Sequence, residues 1–266
     1  MLAIALLVSA GRADAQTTLT AAGSSAAAIQ AQVDAFRAAL GPLNANVAGS
    51  FGSGRREINW DGVPDARSAP FNLPANFFNV NSPRGAVFST PGTGFAVSAT
   101  SASGTAVRFG NIDASYTGTF ATFSAQRLFT ALGSNIVDVN FFIAGSATQA
   151  FTQGFGAVFS DVDLAATTSI EYFTQGNASL GTFAAPVGAF SFLGVSFGSA
   201  VVSRVRIISG NTALAGGATD ENGNTRDVVA MDDFIYGETV TPEPGTYALM
   251  AVGLLAVGVI RRRRQG

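Results

Sequence analysis

Two adjacent carboxylates, Asp232 and Asp233, stand inside an otherwise apolar run at 228–236, and no other acids in the sequence are so placed for chemistry. Neighbours in a strand point to opposite faces, so one carboxylate is expected on each face. At least one is then buried unless a cation or hydrogen bonds satisfy it. Further oxygen donors cluster at Asp161 and Asp163, at Asp220-Glu221-Asn222-Gly223-Asn224, and at Asp227. Donor sets made of oxygen alone suit a hard cation, which makes structural Ca2+ at Asp232, Asp233, Asp161 and Asp163 the cofactor expectation. The competing expectation is an edge position where both acids accept backbone hydrogen bonds. Segment 220–231 opens like a D-x-N-x-N loop, but Thr225 replaces the turn glycine and Met231 stands where a bidentate glutamate belongs. It is not an EF-hand loop.

The inventory removes most other chemistry. Without His or Cys there is no Ser-His triad, thiol nucleophile, His-ligated zinc or haem thiolate, and without Lys there is no Schiff base or Walker-type phosphate site. Carboxylate chemistry survives. Glycoside hydrolysis needs two acids at a set separation across a sugar, and no pair is singled out by spacing. Trp60, the lone tryptophan, lies beside Asp61 and offers a glycan-binding face if exposed; a core or lid position is the commoner use of a single indole. Residues 16–240 carry ten arginines against fifteen acids, a balance that argues against nucleic acid or an anionic membrane as the main partner.

Positioning such residues falls to a mainly β body. Ile29, Val33, Phe36 and Leu40 recur at helical spacing behind Ser25, and Gly41-Pro42 supplies the stop, which predicts one helix over 26–40. Residues 16–23 read as a flexible start, and 41–83, rich in Gly, Pro, Asn and Ser, as loops. From 86 onward short β-branched and aromatic runs predict strands at 86–89, 95–99, 106–109, 115–123, 135–142, 149–159, 168–174, 179–183, 190–197, 201–208 and 228–236. Gly176-Asn177 suits a hairpin turn, and the alternation of Arg204 and Arg206 with Val205 and Ile207 predicts a half-wet strand. A parity switch from Phe190 and Phe192 to Leu193, Val195 and Phe197 predicts a bulge near Leu193. With 22 Phe there is apolar area enough for two packed sheets. The run 228–236, with its apolar-Asp-Asp-apolar core, resembles the closing strand of jelly-roll carbohydrate-binding modules, where such an Asp often holds calcium. The expected fold is a jelly-roll-like antiparallel β-sandwich with one N-terminal helix and a C-terminal hydrophobic helix.

The two ends read as addresses. Residues 2–10 are an apolar stretch of signal-peptide length, with no Lys or Arg before it, and Ala13 and Ala15 precede Gln16 as an A-x-A cleavage site. At the other end Thr241-Pro242-Glu243-Pro244-Gly245 is held extended by its prolines. From Tyr247 to Ile260 run 14 uncharged residues, which as a helix span roughly 21 Å, short of a ~30 Å hydrocarbon core, and Arg261, Arg262, Arg263 and Arg264 follow, able to snorkel to a cytoplasmic interface. Proline-bounded carboxylate, apolar run and arginine cluster in this order resemble the PEP-CTERM sorting signal of Gram-negative bacteria. The resemblance implies an exosortase as processing partner, membrane contact through the tail before processing, a cut near Pro242–Pro244, and export to the cell envelope, outer surface or extracellular matrix.

The expected organisation is a signal peptide at 1–15, one extracellular domain at 16–240 and the sorting segment at 241–266. The PEP-CTERM resemblance implies a non-enzymatic surface or matrix protein that binds or organises exopolysaccharide. The alternatives are a carboxylate-dependent glycoside hydrolase or lyase, and a purely structural surface protein.

Overall fold

The computed structural model describes residues 16–218 and 225–241. Its frame is eight strands: β5 (Phe129–Leu132), β6 (Ile136–Phe141), β7 (Gly154–Val162), β8 (Ser169–Phe173), β9 (Ser179–Ala184), β10 (Gly188–Ser196), β11 (Arg204–Ile208) and β12 (Ala230–Gly237). They pair as nested antiparallel couples, β5 with β12, β6 with β11, β7 with β10 and β8 with β9. One long hairpin has rolled up, so the couples fall alternately into two sheets, β5-β12-β7-β10 and β6-β11-β8-β9. Nesting of this kind is a jelly roll.

Four earlier strands widen the roll. β1 (Thr17–Gly23) extends the first sheet beyond β10, β4 (Gly94–Val97) extends it beyond β5, and β2 (Arg55–Ile58) pairs with the end of β12, while β3 (Ala86–Ser89) flanks β6 in the second sheet. The sheets thus hold seven and five strands. Between them lies the main core, where Phe88, Phe129, Phe141, Phe155, Phe234 and Tyr236 meet.

Only the first sheet is covered on its outer face as well. Helix α1 (Ala26–Leu40) lays Ile29, Val33, Phe36 and Leu40 on Val158, Phe190, Phe192 and Ile235. Each side chain buried in this way contributes about 1.5–3 kcal/mol. Gly156 and Gly194 face each other across β7 and β10, and a Cβ on either would meet the Phe36 ring within 3 Å. Next to the helix, the short helical turn Tyr116–Thr119 and the chain around it bury Phe109, Tyr116, Phe120, Leu128 and Leu214 against Ala96, Val228 and Ala230.

Several expectations change here. Residues 16–23 are not loose: they form β1, because β10 leaves an open edge that seven successive residues can pair with. No strand forms at 106–109 or 115–123; Tyr116 and Phe120 are four apart, a helical spacing, and both turn inward from the helical turn Tyr116–Thr119. The pairing of β10 with β7 runs without a shift from Gly188 to Ser196, so there is no bulge at Leu193. Its parity switch records burial on both faces, with Phe190 and Phe192 under α1 and Leu193 and Val195 in the inter-sheet core. The hairpin turn holds, with Asn177 at φ 59° between β8 and β9. No helix among the described residues is long and apolar enough to cross a membrane; the expected C-terminal helix lies outside them.

Candidate functional site

The irregularity that sequence reading places at Leu193 lies instead in β12, where the register to β7 shifts between Met231 and Phe234. The extra residue puts Asp232 and Asp233 at a bulge, which redirects side chains that simple alternation would separate. Both carboxylates therefore reach Ser124, whose Oγ lies 3.1 Å from Asp232 Oδ1 and 2.7 Å from Asp233 Oδ1. The expectation of one carboxylate per face is corrected by this geometry. The backbone N–H of Phe123 donates to Asp232 Oδ2 at 2.6 Å, and Arg37 Nη2 of α1 donates to Asp233 Oδ2 at 2.9 Å. Arg37 also engages Glu57 of β2 through two bonds of 3.1 Å.

Both acids are buried, at 0% and 2% exposure. Burial and then the neighbouring Asp233 charge push the Asp232 carboxyl well above the usual carboxylate range. Burial also raises Asp233, against the opposing pull of Ser124, Asp232 and Arg37. Two carboxyls this close share a proton more readily than they hold two charges.

The calcium expectation meets a different donor arrangement. A guanidinium already supplies the cation at Asp233, and among the described residues no three acidic side chains converge where an ion could sit. Asp163 is linked to the buried Asp227 through its backbone, its N–H donating to Asp227 Oδ1 at 3.1 Å, while Thr167 Oγ1 donates to the other oxygen. Asp227 thereby closes the turn after β7. Asp161 takes the left-handed conformation at φ 70° at the end of that strand. Positions 220–224 lie outside the described residues.

Trp60 is 1% exposed, stacked on Phe129 with ring centroids 4.1 Å apart and planes 1° apart, and its Nε1–H donates to the Asp232 carbonyl at 2.7 Å. It is a core residue, with no free face for a sugar ring. Asp61 beside it accepts the backbone N–H groups of Gln126 and Arg127.

A second built constellation stands where the body hands over to the tail. Glu238, 3% exposed, forms a bidentate pair with the fully buried Arg56 of β2, with Nε to Oε2 at 2.7 Å and Nη2 to Oε1 at 3.0 Å. The remaining Arg56 donors reach carbonyls of the preceding loop, Ala45 at 2.6 Å, Val47 at 3.3 Å and Gly49 at 3.2 Å. Asn44 Nδ2 donates to Glu238 Oε2 at 2.6 Å, and Glu238 N–H donates to the Gly54 carbonyl at 2.8 Å. Val240 exchanges both backbone bonds with Phe151, and Thr241 is exposed. A cavity of about 240 Å³ opens beside this exit, lined in part by Leu40, Pro42, Gly54, Glu238 and Val240. Sequence reading missed Arg56, Glu238, Arg37 and Ser124; the one available signal was a charged triplet, Arg55-Arg56-Glu57, directly after the uncharged stretch 38–54.

Ala13, Ala15, Pro242, Glu243, Pro244 and Arg261 to Arg264 lie outside the described residues. No curated protein and no solved structure matches the chain. Residues 240–264 match the family described as the PEP-CTERM protein-sorting motif, a match that begins at Val240, where the last backbone pairing of the body ends. The motif implies export to the cell envelope or surface and processing by an exosortase. By these residues the chain carries a PEP-CTERM sorting motif at its C-terminal end.

Proposed function

We propose that this is a non-enzymatic surface protein whose jelly-roll body binds or organises exopolysaccharide, in the cell envelope or the surrounding matrix, once an exosortase has processed its tail. The observation that carries the reading is the contrast between the two sheets. Both faces of the first are covered by apolar packing, whereas the outer face of the second is partly exposed and carries a polar cluster beside Ile136, Ile208 and Phe173. Asp138 and Asn140 of β6, Arg204 and Arg206 of β11 and Glu171 of β8 share that face, adjacent in register. Asp138 holds both arginines, Arg204 Nη1 at 2.8 Å and Arg206 Nη2 at 2.8 Å, and the Arg204 guanidinium lies 3.7 Å from the Phe173 ring centroid. Fixed donors and acceptors on a rigid sheet suit a hydroxyl-rich polymer.

The buried state of Asp232 and Asp233 supports the non-enzymatic part of the reading, since a carboxylate that hydrolyses a glycoside must touch the bond it breaks. The test is co-sedimentation of the protein with polysaccharide purified from the producing organism, with soluble products assayed in the supernatant. Binding without products, weakened by Arg204→Ala and Asn140→Ala, is the expected result. Reducing ends or unsaturated products would establish the hydrolase or lyase reading instead, and absence of binding would leave a structural surface protein.

A further inference from the structure

The exit of the tail is flanked by a loop with large apolar side chains exposed. Among the described residues six large apolar side chains are exposed, and three of them, Leu43 at 56%, Val47 at 50% and Phe51 at 51%, sit in the loop 42–53. That loop contains no charged residue. It is not a loose excursion: Arg56 grips three of its carbonyls and lies 5.2 Å from the Phe51 ring centroid, Gly49 bridges to Ala144, and Asn44 bonds Glu238. The same guanidinium holds Glu238, three residues before Thr241, so the loop and the root of the tail are one rigid unit.

Chain length then limits where this unit can be. Four residues separate Thr241 from Thr246, where the apolar stretch of the tail begins, and five extended steps span at most about 18 Å. A bilayer holding that stretch therefore lies within this distance of the exit, close enough for the neighbouring loop to reach it.

We propose that loop 42–53 is a membrane-docking surface of the unprocessed protein, inserting Leu43, Val47 and Phe51 into the lipid interface beside the tail. The occupant is the lipid of the membrane that holds the tail, since interfacial binding scales with the apolar area buried at the headgroup and acyl boundary, and this loop offers three large apolar side chains and no charge. The docked body holds the root of the tail, Glu238 to Val240, at the membrane surface, and cutting the tail removes the tether and leaves only the three side chains in contact. The proposal rests on the reading of the tail as a membrane segment.

The experiment uses the full chain in liposomes carrying brominated acyl chains, with a tryptophan introduced by Phe51→Trp. Trp60 is the only native tryptophan and is buried, so it supplies a constant background. Val187→Trp is the control: it precedes Gly188, which pairs with Val162 at the far end of β7 from Phe155 and Tyr236, and nine residues of strand span roughly 27 Å. Flotation with the liposomes first reports whether the tail is inserted. The expected result is flotation of both variants, with bromine quenching the emission added at position 51 and not that added at 187. Flotation without quenching at 51, or equal quenching at both positions, overturns the docking surface while leaving the tail reading intact. Failure to float overturns the tail reading, and the docking surface with it.

Discussion

Arg56 and Asp232 show how single charged residues carry weight here. Arg56 is fully buried and its charge is matched by Glu238 alone, so removing it strands a carboxylate in the interior. Arg56→Met is expected to lower stability by about 3–5 kcal/mol, with Arg56→Met/Glu238→Leu recovering much of the loss, as read by urea denaturation. Asp232 titrates in the opposite sense from an ordinary salt-bridged acid. Its folded-state value lies above the ordinary 3.8, so the native protein binds more protons than the unfolded chain between the two values. Stability from this group is present at low pH and is lost as pH rises through the folded value. Asp232→Asn keeps an acceptor for the Phe123 N–H and a donor toward Asp233 and removes this titration. Thermal midpoints from pH 4 to pH 8 are expected to decline for the native protein and to decline less for the variant, which becomes the more stable of the two at pH 8. A steeper decline in the variant would refute the assignment.

At the scale of elements, α1 and the first sheet depend on one ring and two glycines. Phe36 fills the hollow that Gly156 and Gly194 leave, and its edge meets Phe192 with ring centroids 5.6 Å apart. Phe36→Ala is expected to destabilise by about 3–5 kcal/mol through the cavity it leaves. Gly156→Ala is expected to cost about 1–3 kcal/mol, because its Cβ would press on Phe36 at 2.8 Å and on the backbone of β10 at 3.0 Å. Phe36→Leu combined with Gly156→Ala relieves part of that clash, so the double variant is expected to lie closer to the native protein than the sum of the two single changes, again by denaturation.

For the whole molecule, stability comes from a three-layer arrangement, helix and loops over one sheet and that sheet over another, without disulfides. Guanidinium and hydroxyl groups meet the buried acids, so a chelator is expected to leave the thermal midpoint of the protein unchanged and added calcium not to raise it. A rise of several degrees with calcium would show a native-state ion site. The jelly roll also explains the position of the tail. β12 pairs with β7 and β5 in the middle of a sheet, so the body is closed before the tail begins.

What the sequence determined by itself was local or terminal. Helix α1 and its four buried residues were legible because a 3.6-residue period needs only neighbours, and β3, β6, β8, β9 and β11 because alternation and turn residues are local too. The sorting motif was legible because linear order is its whole content. The tertiary structure decided what each charge meets. Asp232 and Asp233 were noticed in the sequence, but the register shift that turns both toward Ser124 depends on β7, and Arg37 reaches Asp233 from 196 positions away. Trp60 could stack on a sugar or on Phe129, and only packing chose the ring. Arg56 and Glu238, 182 positions apart, carried no mark of their pairing. Such contacts form when distant segments close on one another, and the burial that makes them strong does not exist until the fold is complete.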